Sequence, residues 1–193
     1  MPRSITFYYG MSGTFKATTI NTLMNRGIYE KPIWSDIKPW KSLESLLGVN
    51  QDDRVYAMLH LYNLKREVNT TKNSIVVERG VTDMLYYYYK NNPQLDINLS
   101  MVKDVLLKEK EICKDFEIKR VILVQRDEDF IENVVLKEPT RSKEFRDLKS
   151  YLEGQDMYLK FTTEYNDIDE IIDIFDAKEY IERTLGIEYK LNK

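Results

Sequence analysis

The sequence predicts an α/β protein built on a mostly parallel sheet, and three features carry that prediction. Short runs rich in β-branched and aromatic residues at 5–9, 74–77 and 121–124 each close on polar residues. Helical sequence separates them, which is the pattern of parallel strands joined by crossover helices. The 193 residues suffice for one domain with a full core and are too few for two, so 1–193 is read as a single domain. A content of 42% hydrophobic and 32% charged residues is that of a globular chain rather than a disordered or fibrous one.

The elements follow in order. Residues 5–9 form an apolar, aromatic run stopped by Gly10, a buried strand passing into a loop, and 16–24 reads as a helix. Residues 54–68 carry apolar side chains at 55, 58, 59, 61, 62 and 64, a helical stripe. The strand 74–77 closes on Glu78 and Arg79. A helix over 83–90 follows, with too many tyrosines to lie wholly on the surface. An amphipathic helix spans 99–113, with Asn98 or Ser100 as its cap. The strand 121–124 closes on Gln125 and Arg126, and 127–135 reads as helical. The segment LKEPTRSKEFR, broken by Pro139, reads as a mobile flap. A long helix from about Glu144, a last strand over 170–175 and a terminal helix in AKEYIERTLG complete the chain. In such sheets ligands gather at the carboxyl ends of strands, where Gly10, Glu78, Arg79 and Arg126 fall.

Composition narrows the chemistry. The net charge of −3 exerts no general pull on nucleic acid or an anionic membrane, so neither partner is expected. The single cysteine, Cys113, rules out an internal disulfide and a cysteine-based zinc site, and suits a reducing cytoplasm. The single histidine, His60, removes Ser-His-Asp, Cys-His and multi-histidine metal arrangements, and is read as a helix-packing residue. The strand-like start is too short for a signal peptide or a membrane span, so a cytoplasmic protein is expected.

Three motifs carry chemistry. A loop that leaves a strand, turns on glycines and opens a helix offers backbone N–H groups to a phosphate, and a lysine in it reaches the outer phosphates. YGMSGTFKAT has the strand, Gly10, Lys16 six residues later and the helix. Phe15 stands where the pattern G-x-x-x-x-G-K-[ST] has its last glycine, and Ala17 where it has its hydroxyl, so a plain strand-turn-helix is the competing reading. SIVVERGVTD sets Glu78 beside Arg79 at a strand end. That is either a surface ion pair, or an arginine for an anionic acceptor with a carboxylate for magnesium or a sugar. The flap crowds Lys137, Arg141, Lys143 and Arg146, either a solvated face or a cation source that closes over a transferring phosphoryl group. Trp34, Trp40 and the tyrosines of 86–89 are read first as packing.

Taken together, these residues resemble a P-loop kinase of the thymidylate kinase and deoxynucleoside kinase group. GMSGTFKATT sits where thymidylate kinases carry G-x-x-G-x-G-K-[ST]-T, matching at Gly10, Gly13, Lys16 and Thr18. HLYNLKR is similar to their LLFAADR helix, with Tyr62 at the aromatic that stacks on the base and Arg66 at the arginine. VVERGVTDMLYYY is similar to their DR-Y helix, with Glu78 and Arg79 at the acid and arginine and with Leu85 and Tyr87 in register. The resemblance covers residues 4 to about 180.

It implies a three-layer P-loop kinase fold with a five-stranded sheet and a basic lid at about 136–147. It also implies ATP as donor, Mg2+ as cofactor and a homodimer. Gly10, Gly13, Thr14, Lys16 and Thr18 would bind ATP. Tyr62, Arg66, Glu78, Arg79 and Tyr87 would bind the acceptor, and Thr18 and Glu78 the metal. Lys16, Arg79 and Arg141 would be catalytic. The activity implied is transfer of a phosphoryl group to a deoxynucleoside monophosphate, dTMP or a related pyrimidine.

The deoxynucleoside kinase branch competes, since EKPIWSDIKPW resembles its Glu-Pro-Val and Trp segment and ERG its ERS. Lys31 interrupts the Glu-Pro, and the base-reading glutamine falls on Leu59. A monophosphate acceptor is already an anion and needs no strong base, which favours the monophosphate. Two further readings stay open: a nucleotide-binding protein with little turnover, motivated by Phe15 and Ala17, and a kinase of nucleotides in DNA, which the acidic balance opposes.

Overall fold

The computed structural model of the chain describes residues 3–29, 31–34, 53–71, 74–139 and 144–184. Glu30, Trp40, Arg141 and Lys143 lie outside the described residues. The strands are β1 (Ser4–Tyr9), β2 (Lys31–Ile33), β3 (Ser74–Glu78), β4 (Glu117–Val124) and β5 (Glu170–Asp173). The helices are α1 (Lys16–Asn25), α2 (Asp53–Thr70), α3 (Val81–Asn91), α4 (Leu99–Ile112), α5 (Glu128–Phe130), α6 (Leu148–Tyr165) and α7 (Ala177–Thr184). A π-helical turn, Ile131–Val135, continues α5, and a 3-10 turn, Ile174–Asp176, precedes α7.

The strands form one sheet in the order β2-β3-β1-β4-β5, and every pairing is parallel. Alternation within the buried strands assigns the two faces. Ile5, Phe7, Tyr9, Ile75, Val77, Ile122 and Val124 join the larger core with residues of α2, α3, α4 and α6. Tyr8, Val76, Val121 and Leu123 face the smaller one with Ile20 and Leu23 of α1 and Tyr180 of α7. Tyr8 reaches the hydroxyls of Tyr29 and Tyr180 at 3.2 and 2.7 Å, so this strand needs no apolar residue to be buried there.

The expected strands are present, with differences that have physical causes. β4 begins four residues earlier than the apolar run, because the charges in its first half are paired. Arg120 meets the fully buried Glu109 at 3.5 Å, and Lys119 meets Glu170 of β5 at 3.6 Å. β2 is three residues long and was not read as a strand. The last strand stops at Asp173, whose Oδ1 accepts from Phe175 N and turns the chain into the 3-10 helix. α6 begins at Leu148 rather than near Glu144, because Asp147 and Ser150 form a reciprocal capping box there. Asn98 caps α4 as expected, accepting from Met101 N.

His60 is buried on α2, and burial lowers its pKa to about 4, in keeping with a packing role. The tyrosines of α3 divide as their number requires. Tyr86 and Tyr89 are buried, and the Tyr86 ring lies 5.1 Å from Tyr158 and 5.7 Å from Phe161. No helix among the described residues is long and apolar enough to cross a membrane.

Candidate active site

The five described strands run the same way, so their carboxyl ends share one edge of the sheet. β1 passes there into the loop 10–15, whose glycines answer to close contacts. A Cβ on Gly10, at φ +140°, would lie 2.5 Å from Leu123 O and from Thr14 Oγ1, and one on Gly13, at φ +92°, would lie 2.8 Å from Val135. The loop therefore sits tight against β4 and the turn after it. Lys16 opens α1 and is 5% exposed, its Nζ donating to Gly10 O at 2.7 Å and Met11 O at 2.9 Å. Its ammonium lies across the loop at the amino end of a helix, the place and charge a phosphate chain requires.

Arg79 stands at the same edge, directly after β3. Its amide donates to Tyr8 O at 2.9 Å, and its φ of +67° turns the chain sharply toward α3. The guanidinium lies 4.0 Å from Asp83 and 5.6 Å from the Tyr87 ring centre. Asp83 is wholly buried. Its Oδ1 accepts from the Tyr158 hydroxyl and its Oδ2 from Gly80 N at 3.3 Å. Tyr158 in turn accepts from Gly10 N at 2.8 Å, so one side-chain chain joins the loop to the arginine. Burial pushes the Asp83 carboxyl up, while Arg79, Tyr158 and Lys16 oppose that shift, so Asp83 feels both cations of the site.

α6 is anchored where this network needs it. Gln155 exchanges two 2.9 Å hydrogen bonds with the backbone of Gln125 at the end of β4, and Tyr151 donates to Ser12 O at 3.1 Å. Lys90 extends the positive line along α3. It lies 5.6 Å from the Tyr87 ring on its own helix and pairs with Glu144 at 2.9 Å.

The sequence-predicted residues divide into two groups. Gly10, Gly13, Thr14, Lys16, Glu78, Arg79 and Tyr87 come together at or beside this edge. Thr18 lies exposed in the first turn of α1, and Arg126 is exposed just past β4. Tyr62 and Arg66 are not brought to the loop. Tyr62 is 64% exposed beside a groove shared by α2 and α4, near Leu107 and Ile112. Arg66 donates twice to Glu67, which also pairs with Lys31, the first residue of β2. α2 ends where β3 begins, and Arg3, just before β1, donates to Val68 O and Thr71 O. The last turns of α2 thus sit at the amino edge of the sheet, opposite the loop.

For a magnesium ion the donors are few. Ala17 offers none, the Thr14 hydroxyl donates to Met11 O at 2.9 Å, and Asp83 is engaged by buried partners. Glu78, half-buried at the end of β3, is a carboxylate at this edge on the strand next to β1. Among the described residues no group of three His, Cys, Asp or Glu side chains could hold a metal. This donor set fits a magnesium ion carried in on phosphates and water, with one carboxylate from the protein.

The sequence reading missed Asp83, Tyr158 and Lys90. Asp83 had a signal, since it falls at the third position of a helix that starts after Gly80, where a carboxylate can accept from the cap amide. Tyr158 had none, because it lies 148 positions from its partner Gly10.

No family model matches the chain, and no curated protein matches it in sequence. Solved structures do match in fold. The YorR protein of Bacillus subtilis, described in complex with phosphorylated GDP, aligns with a TM-score of 0.59 at 15% identity, covering 95% of each chain. Thymidylate kinase from Candida albicans aligns with a TM-score of 0.57 at 14% identity, covering 97% of this chain and 94% of its own. Thymidylate kinase from Ehrlichia chaffeensis aligns with a TM-score of 0.54 at 12% identity, covering 96% and 100%. The chain shares with these structures the five-stranded, parallel α/β architecture flanked by helices.

Proposed function

We propose that the protein is a nucleotide kinase that moves the γ-phosphoryl group of ATP to a deoxynucleoside monophosphate, a thymidine-like pyrimidine nucleotide. The observation that carries this reading is the pairing of two cations at one strand edge. Lys16 lies on a phosphate-sized loop and Arg79 at the neighbouring strand end, with buried Asp83 between them. The thymidylate kinases of the same fold act as support for the acceptor class.

In this reading the loop amides and Lys16 hold the donor phosphates, and Arg79, with Lys90 farther along α3, holds the acceptor phosphate. An oxygen of that phosphate attacks the γ-phosphorus, the bond to the β-phosphate oxygen breaks, and ADP leaves. Positioning and neutralisation of charge supply the rate. Glu78 would hold a magnesium ion brought in with the nucleotide, and that ion would supply neutralisation of phosphate charge. Arg141 of the basic segment is assigned to the transferring group. Tyr62 and Arg66 are left out, because their helix turns lie at the opposite edge. A homodimer in the cytoplasm belongs to this reading, and sedimentation tests its first part.

A coupled assay with ATP and a panel of nucleosides and monophosphates tests the proposal. Consumption of thymidine alone would move the protein to the deoxynucleoside kinases. The occupied Thr14 hydroxyl and the missing one at Ala17 favour a second reading, a nucleotide binder with little turnover. ATP binding without product in any arm of the panel selects it.

A further inference from the structure

Phe15, Phe130 and Phe175 reach the carboxyl edge from three elements and form one half-open aromatic row. The Phe15 and Phe130 ring centres lie 5.5 Å apart, and those of Phe130 and Phe175 lie 5.8 Å apart, nearly perpendicular. Phe15 is 37% exposed and Phe175 58% exposed. Burial in the core therefore does not account for two of the three rings.

Their backbones are held in place. Asp127 Oδ1 accepts from Phe130 N at 2.7 Å, and Asp173 Oδ1 accepts from Phe175 N at 3.1 Å. Val124 and Asp173 pair across β4 and β5, so the two carboxylates fix rings at adjacent strand ends. Phe15 is fixed in another way, at φ 52° in the left-handed region, a strained conformation for a bulky side chain. Such strain at an exposed ring beside a loop points to use of that ring.

The row begins at the residue directly before Lys16, which places it within one nucleoside of the phosphates the loop would hold. We propose that the row seats the base of the phosphoryl donor by stacking alone, so that donor choice is indifferent to the base. This rests on the kinase reading above. Aromatic faces accept any base because every base has a π-face. Asp127 and Asp173, the carboxylates bonded to this row, each use Oδ1 to hold the Phe130 and Phe175 amides.

Titration calorimetry with ATP, GTP and inorganic tripolyphosphate, each with Mg2+, tests this on the wild type, Phe175→Ala and Phe15→Ala, with thermal melts to confirm folding. The wild type should bind ATP and GTP within about fivefold of each other and both more tightly than tripolyphosphate. Each variant should lose about tenfold for both nucleotides and nothing for tripolyphosphate. Variants that bind ATP as the wild type does would remove the row from the base site and leave the kinase reading intact. A wild type that prefers ATP over GTP by about a hundredfold would show that hydrogen bonds read the base, and would overturn stacking alone. A wild type that binds neither ATP nor tripolyphosphate would overturn the kinase reading, and the row with it.

Discussion

The Tyr158 hydroxyl accepts the Gly10 amide at 2.8 Å and passes its own proton toward Asp83, which ties the first residue of the loop to the carboxylate beside Arg79. Lys16, which donates to Gly10 O, and Arg79 are thereby linked through one buried phenol and one buried acid. That coupling makes a specific prediction for each member.

Tyr158→Phe removes a hydroxyl with two partners and leaves Gly10 N–H and Asp83 without it. The fold should lose about 1–3 kcal/mol in urea melts. The KM for ATP should rise more than the KM for the acceptor, because the loop is the element set adrift.

Asp83→Asn keeps the shape but removes the charge that faces both Lys16 and Arg79. Steady-state kinetics should show both KM values rising together. A change confined to one substrate would mean that Asp83 serves one cation only.

Arg66→Ala tests where α2 lies. The side chain is 61% exposed and bound to Glu67, so its loss should cost less than about 1 kcal/mol. The acceptor KM should stay within about twofold of the wild type. A large rise would place this turn at the acceptor after all.

How much of this was legible in the sequence differs from residue to residue. The loop strand, Lys16 and Arg79 were readable at this edge, because buried parallel strands are apolar throughout and their polar stops mark where ligands gather, while Tyr87 came from the resemblance alone. Tyr62 and Arg66 were taken from a motif alone, and the structure sets them away from the loop. Only eleven residues lie between Arg66 and Glu78, too few for a helix end, a turn and a strand unless Arg66 lies at the amino edge. β2 and the first half of β4 were hidden by charges whose partners, Glu67, Glu109 and Glu170, come from distant elements. Tyr158 could not be found, because a tyrosine on a helix carries no mark of the loop it will meet.

His60 supplies a prediction about pH. Its folded pKa is lowered to about 4 by burial, against 6.5 ordinarily, so between these values the unfolded chain takes up a proton that the folded one refuses. Its contribution is fully present above pH 6.5 and is lost as the pH falls toward 4, amounting to about 3 kcal/mol over that window. Urea melts from pH 7.5 to 4.5 should show the decline, and His60→Leu should flatten it.

The proposed phosphoryl transfer runs from a donor on the Lys16 loop to a monophosphate at Arg79. The most direct measurement follows the γ-phosphate label of ATP with dTMP as acceptor, in the wild type and in Lys16→Ala. Labelled diphosphate should form with the wild type, and at a rate lower by about 10²–10³-fold with the variant, which loses the charge beside the transferring group. Label that appears on thymidine but not on its monophosphate, or a variant as fast as the wild type, would contradict it.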